Sequence, residues 1–210
     1  MNDASARPAT QDSGRDRILD AAALLFRNRG YSGTSLRDIA DAAGMKAGSI
    51  YYHFPSKNEI VAAVLDAGVE HVHRSVLTAL ERLPENVSHR DRITAAMIAH
   101  LKAFLGRSDY TSANLRIFGQ VPPEIRVRNM PAREAYEDVW RVMLKEARDQ
   151  GELGEDVDLT SLRLFMIGGM NSALEWYRPE RSEKIEKLAR KFAAFIFDGV
   201  ARGPTGGERD

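Results

Sequence analysis

Tyr51, Tyr52 and His53 stand side by side in the stretch GSIYYHFPSKNEI, with Lys57 four residues beyond His53. Two phenols, an imidazole and an ammonium so close together can all donate hydrogen bonds to anionic oxygen. A phenol does this while its ring packs against protein. The preceding residues Lys46, Ala47, Gly48 and Ser49 are small or polar. Only Met45, Ile50 and Phe54 are apolar enough to hold the segment to its neighbours. A short helix from about 46 to 54 therefore buries little of itself and offers its other face to a partner. A major groove about 12 Å wide admits one helix, and small side chains let the helix backbone come close. The chemistry this spacing fits is contact with phosphate oxygens by Tyr51, Tyr52 and His53 where the groove wall rises. Lys57 adds a charge beside the unpaired N–H groups that open the next helix.

Other chemistry is poorly served. There is no Cys, which excludes disulfides, thiolate zinc sites and cysteine nucleophiles. His71 and His73 are two residues apart, so on a helix they point to different faces, and Glu70 with Arg74 fits an i,i+4 ion pair better than a metal site. The GGMNS stretch lies within a helical pattern and has no nucleophile, base and orienting group around it. No enzyme, no metal site and no cofactor is expected. The chain carries 30 basic and 30 acidic residues, so it does not coat nucleic acid indiscriminately. Between Ser13 and Lys57, however, seven Arg and Lys face four Asp, a local basic excess. The N-terminus has no apolar run of the signal type, and no stretch approaches 18 apolar residues. A cytoplasmic location is the simplest expectation, with no membrane partner.

Helical periodicity and punctuation supply the elements that position these groups. Ile18, Ala22, Leu25 and Phe26 mark a first helix starting near Arg15 and stopped by Gly30. Thr34 or Ser35 caps a second, whose apolar face is Leu36, Ile39, Ala40 and Ala43. Gly44 breaks it, the short helix follows, and Pro55 stops that one. Ser56 and Glu59 read as a capping box opening a long helix from Lys57 to about Leu83. Further helices are expected at about 88–107, 112–121, 123–150, 157–177 and 182–200, with Pro131 kinking or splitting the third of these. No segment alternates with period two. The fold class is all-α with about nine helices.

The stretch RILDAAALLFRNRGYSGTSLRDIADAAGMKAGSIYYHFPSKNEIVAAVL closely resembles the DNA-binding domain of TetR-family transcription regulators, and GSIYYHFPSKNEI is its most specific part. The resemblance implies an Ω-shaped homodimer. A three-helix helix-turn-helix head, over 12–72, is joined by its fourth helix to an effector-binding and dimerisation body over 73–202. Residues 1–11 and 203–210 are expected to be disordered. It also implies that Thr34, Ser35, Tyr51, Tyr52, His53 and Lys57 lie near phosphates while Lys46, Ala47 and Ser49 face base edges. Position 47 often carries a longer polar or basic side chain in the family. Alanine here shifts base reading towards Lys46 and Tyr52, and Lys46 can instead go to a phosphate.

The body gives weaker signals. Gly168, Gly169, Ser172 and Ala173 are small residues that let helices approach closely, and Ile185, Leu188, Ala189, Phe192 and Ile196 share one helix face. Both patterns fit an intramolecular core. The family resemblance implies instead a dimer interface of two helices from each subunit, containing Gly168, Gly169, Ser172, Ala173, Leu188, Phe192 and Ile196. Phe104, Phe118, Trp140, Asn171, Trp176 and Tyr177 are candidates to line an effector pocket, with plain core as the alternative. Arg116, Arg126, Arg128 or Arg178 could meet phosphates or a carboxylate. The ending NSALEWYRP resembles members that sense acyl-CoA thioesters. The expected function is a ligand-responsive repressor of an inverted-repeat operator, released by a small apolar effector such as an acyl-CoA. The alternative is a constitutive DNA-binding dimer without an effector.

Overall fold

The computed structural model describes residues 14–106 and 108–199. The termini expected to be disordered lie outside them. Among the described residues there are eight α-helices and one 3-10 helix and no strand. They are α1 (Gly14–Arg29), α2 (Leu36–Ala42), the 3-10 helix η1 (Ala47–Tyr52), α3 (Lys57–Glu81), α4 (His89–Leu105), α5 (Asp109–Ile117), α6 (Pro123–Asp149), α7 (Leu159–Trp176) and α8 (Ile185–Phe197).

Serine and aspartate side chains start most of these helices. Ser35 is the N-cap of α2, and there the box is complete: its Oγ accepts from the Asp38 N–H while Asp38 accepts from the Ser35 N–H. At α3 only half of the expected box forms. Ser56 Oγ accepts from the Glu59 N–H, but the Glu59 carboxylate is taken by Arg128 on α6 at 2.6 Å. Ser88, Ser108 and Asp158 cap α4, α5 and α7. The Ser108 cap moves α5 three residues ahead of its expected start. Pro131 neither ends nor splits α6. Its missing N–H frees one carbonyl, that of Val127, and both residues lie on the solvent side, where water can take the freed acceptor.

The apolar interior divides along α3. Its first half, with Ile60, Val61, Val64 and Leu65, joins Ile18, Phe26, Ile39, Ile50 and Phe54 in one core. Its second half, with Val69, Val72 and Val76, joins Met97, Leu101, Trp140, Leu144, Met170 and Leu188 in another. Gly68 falls between them. A Cβ there would come 2.8 Å from the Tyr110 backbone oxygen, so the glycine lets α5 cross α3 at close range. The first core is not closed by the N-terminal helices alone. Ala113 and Ile117 of α5, then Val121 and Ile125, complete it as α5 packs along α1.

Candidate nucleic-acid interface and ligand cavity

Gly44 makes the turn between α2 and η1 with φ +66°, a conformation that costs glycine little. Behind it the Met45 N–H donates to Ala40 O at 2.9 Å, fixing the angle between the two elements. Ile50 and Phe54 are buried and Met45 packs beside them, so three apolar side chains hold η1 down. Most of the rest points out. Tyr52 is 90% exposed and Tyr51 60%, and Lys46, Ala47, Gly48 and His53 are exposed beside them. Ser49 is half-buried. A large aromatic left this bare on a segment anchored from below is a surface built for contact rather than for the core.

Three residues expected beside phosphates are otherwise engaged. Thr34 is 1% exposed and its hydroxyl donates to Gly30 O at 2.9 Å, closing the turn after α1. The Ser35 hydroxyl is committed to Asp38. Lys57 donates to Tyr31 O at 2.6 Å and lies 4.0 Å over the Tyr31 ring. Partial burial there pulls the Lys57 pKa below its usual value. The tyrosine ties this corner together: its hydroxyl donates to Asn58 Oδ1 and its N–H to Gln120 Oε1, both at 3.0 Å. Tyr31 and Gln120 carry no motif that would have marked them.

A cavity of about 190 Å³ opens in the body where five helices meet. Gly68, Val69 and Val72 of α3 form one wall. Phe104, Phe118, Leu115 and Ile167 supply further apolar lining. The polar side is a neutral network. His100 is 2% exposed; its Nδ1 lies 2.5 Å from Tyr136 Oη and its Nε2 3.1 Å from Asn171 Oδ1. Burial pushes the His100 pKa down to about 4, so near neutral pH the ring carries one proton. Asn171 Oδ1 can only accept, which puts that proton on Nε2 and makes Tyr136 O–H the donor to Nδ1. Burial also raises the Tyr136 pKa, keeping it a phenol.

Arg133 sits at the same cavity with its guanidinium 3.6 Å over the Phe118 ring. Desolvation lowers its pKa, and Glu137, itself paired with the buried Arg163, partly offsets that. Arg133 Nε donates to Asn129 Oδ1 at 2.8 Å and its Nη2 to Asn114 Oδ1 at 2.5 Å. Those two amides reach the helix below the head: Asn129 Nδ2 donates to Asp66 Oδ1 and Asn114 Nδ2 to Leu65 O, each at 2.6 Å. A cavity residue is thus bonded through two side chains to α3, next to the point where the two cores divide.

Of the residues expected at the pocket, Phe104, Phe118 and Asn171 line this cavity. Trp140 does not: it is fully buried behind the polar wall, edge-on to His100 and Tyr136. Arg116 is exposed in a separate surface hollow, because Asn114 and Phe118 take the cavity side of α5 and a residue two positions from each points away. Trp176 and Tyr177 end α7 in another hollow, where Tyr177 O–H donates to Glu183 O. Arg128 is paired to Glu59, and the Arg178 guanidinium donates to the Tyr177 and Glu175 carbonyls. Sequence reasoning missed Thr111, Asn114, Arg133, Tyr136 and His100. Only His100 left a signal, as a lone imidazole on the apolar face of Ile93, Met97, Leu101 and Phe104.

Ala173 and Leu188, expected between subunits, are buried inside the chain. Phe192 and Ile196 also pack against the second core, because the apolar stripe of α8 is turned onto α4. Gly168 and Ser172 face outward instead, with Leu164, Phe165 and Trp176 on the same side of α7 and Phe195 exposed on α8. Phe165 is 73% exposed, and a Cβ on Gly168 or Gly169 would meet nothing within 4 Å. The all-round apolar run LFMIGGM was the available signal that this helix carries apolar residues on its outer face as well as its inner one.

An all-helical chain with a bare aromatic helix-turn-helix at one end and a cavity beside its connecting helix is a DNA-binding regulator in form. Residues 18–64 match the family model described as bacterial regulatory proteins, tetR family, and residues 86–200 match that of the tetracyclin repressor-like C-terminal domain. The chain belongs to the TetR family of transcriptional regulators. It is 27% identical over 208 residues to the HTH-type transcriptional repressor KstR2 of Rhodococcus jostii (strain RHA1), covering 92% of this chain and 96% of that one. The TetR-family regulator PfmR from Thermus thermophilus superposes with a TM-score of 0.76 at 28% identity, over 90% of this chain and 98% of PfmR. AibR, solved with isovaleryl coenzyme A and operator DNA, shares the fold at TM-score 0.77 and 24% identity, over 88% of this chain and 98% of AibR. Among the described residues no helix is long and apolar enough to cross a membrane.

Proposed function

We propose that the chain is a homodimeric repressor whose operator affinity is switched by an apolar carboxylic acid derivative, presented as a coenzyme A thioester. The bond path from Arg133 through Asn114 and Asn129 to α3 carries this reading. A thioester or carboxylate oxygen has Arg133 as its cation within the cavity. Engaging it redistributes the hydrogen bonds that hold α3 at Leu65 and Asp66, on the head side of Gly68. The effector shifts the equilibrium only through its differential affinity for the two arrangements. The fold shared with AibR holds such a thioester in that protein. The exposed stripe of Leu164, Phe165, Gly168 and Trp176 on α7, with Phe195 of α8, is the proposed dimer face. Two η1 elements in such a dimer read half-sites about 34–36 Å apart, hence an inverted repeat. Lys46 and Tyr52 are the proposed base-reading side chains, with Tyr51 and His53 on phosphates.

The test is to select an operator from a random duplex pool with the purified protein, then titrate bound DNA with acyl-CoAs of increasing chain length. Release by a subset of thioesters supports the reading. An operator that stays bound across the whole panel overturns the effector assignment while leaving DNA binding in place.

A further inference from the structure

The cavity is more polar than a hydrocarbon tail requires. Besides the charged Arg133 and Glu137, the latter bonded to Arg163, it is lined by three uncharged groups with bonding capacity left over. Asn171 gives its oxygen to His100, which leaves its amide N–H2 uncommitted. Tyr136 spends its proton on His100 Nδ1 and keeps its oxygen lone pairs. Thr111 is 2% exposed, and its hydroxyl oxygen has no hydrogen-bond partner at all. Covering these groups with methylenes strands all of them, whereas a ligand oxygen restores their bonds. His100 stays neutral in its buried setting, so this wall favours a neutral oxygen over a second anion. Size narrows the class further. A cavity of about 190 Å³ is a little larger than an apolar cavity of about 150 Å³ that takes benzene, so the part of a ligand held inside it is the size of one ring or two small ones.

We infer that the cavity selects a compact, ring-sized acyl group carrying a ketone or hydroxyl oxygen at the end remote from its carboxyl carbon, bound by Asn171, Thr111 and Tyr136. This rests on the proposed reading for the thioester end, while the oxygen preference belongs to the wall alone. Arg133 and Tyr136 are one helical turn apart on α6, so a single small ring spans from one to the other.

The experiment compares matched probes on the full-length dimer carrying Trp176→Phe, so that intrinsic fluorescence reports Trp140, which lies edge-on to Tyr136 and His100. The probes are cyclohexanecarbonyl-CoA and 4-oxocyclohexanecarbonyl-CoA, with the methyl esters of the same two acids run in parallel. The oxo compound of each pair is expected to bind at least about tenfold more tightly, the effect of one well-made bond to a buried group. Thr111→Val has the same shape and removes an unsatisfied hydroxyl, so it folds at least as well. It should cut the preference several-fold, and Thr111→Val with Asn171→Leu should abolish it. Equal affinity within each pair, or a preference that survives both substitutions, overturns the inference. If both thioesters fail to bind while the oxo ester keeps its advantage, the thioester reading falls and the oxygen preference stands. If no probe of either pair binds, the cavity is not the site and the inference is overturned.

Discussion

His100 provides the sharpest quantitative test, because its pH window is separate from that of the carboxylates. The imidazole is enclosed by Tyr136, Asn171, Phe104 and Trp140, and burial holds its pKa at about 4 against 6.5 for the free side chain. Between those two values the unfolded chain binds a proton that the folded chain refuses. Stability is therefore fully present above pH 6.5 and is lost as pH falls towards 4, by about 3 kcal/mol in all. For a chain of this size that is a fall in Tm of about 6–12 °C. His73 adds a smaller loss of the same sign, since burial also lowers its pKa. Asp38, Glu59 and Asp158 are held below the usual carboxylate range by hydrogen bonds from Ser35, Arg128 and Ser161, so their contributions vanish only at lower pH. The perturbation is His100→Gln, which keeps a donor and an acceptor but does not titrate. Urea melts followed by circular dichroism at pH 7.5, 6.5, 5.5 and 4.5 should show wild type losing about 2.5 kcal/mol more than the variant, most of the full loss. Parallel stability curves would refute the reasoning, as would an NMR titration placing the His100 midpoint near 6.5.

Tyr52→Ala should weaken operator binding while leaving Tm within the small range of exposed-site substitutions, about 0.5 kcal/mol, and gel-shift and melting experiments run together check this. Lys57→Ala should behave differently, lowering both DNA affinity and stability, because its ammonium holds Tyr31; a melt indistinguishable from wild type contradicts that role. Phe165→Glu should raise the dimer dissociation constant by about thirtyfold or more, the effect of losing an interface anchor worth about 2 kcal/mol, with an unchanged circular dichroism spectrum. Sedimentation as an unaltered dimer would place the interface elsewhere. Gly68→Ala should cost about 1–3 kcal/mol, since its methyl meets a backbone oxygen that has no rotamer to change, and calorimetry will show whether α3 and α5 can separate to relieve it.

The helices and the bare segment around Tyr52 were legible because each is local. Periodic apolar residues, a serine or aspartate cap before most of the helices and a glycine or proline after several of them are all read within a few positions. The errors were small and of two kinds: Ser108, a local cap not recognised in the sequence, starts α5 three residues early, and Arg128, a tertiary partner, takes the Glu59 carboxylate from its box without moving the start of α3. The cavity was not legible, because it is assembled by α3, α4, α5, α6 and α7 and no spacing along the chain brings Thr111, Tyr136 and Asn171 together. Aromatic type alone misled: Trp140 and Trp176 have the composition of pocket residues, yet one is core and the other surface. The same limit applied to α8. Its apolar stripe was plain, but a stripe says only that something covers it, and here α4 does.

The first core has an order of assembly written into it. Ile18, Phe26, Ile39 and Ile50 are all synthesised within the first quarter of the chain, but the residues that seal them, Ala113, Ile117, Val121 and Ile125, come more than sixty positions after Ile50. At about 5–20 residues per second, translation takes roughly 3–12 s to go from Leu65 to Ile125. For that interval the emerging DNA-reading end has its apolar floor open and is a client for chaperones rather than a finished module. The same dependence governs grafting. A head cut after residue 72 and fused to another regulator's body leaves behind the four side chains that complete it, so chimeras should keep α5 and the start of α6 with the head or supply equivalents of matched volume.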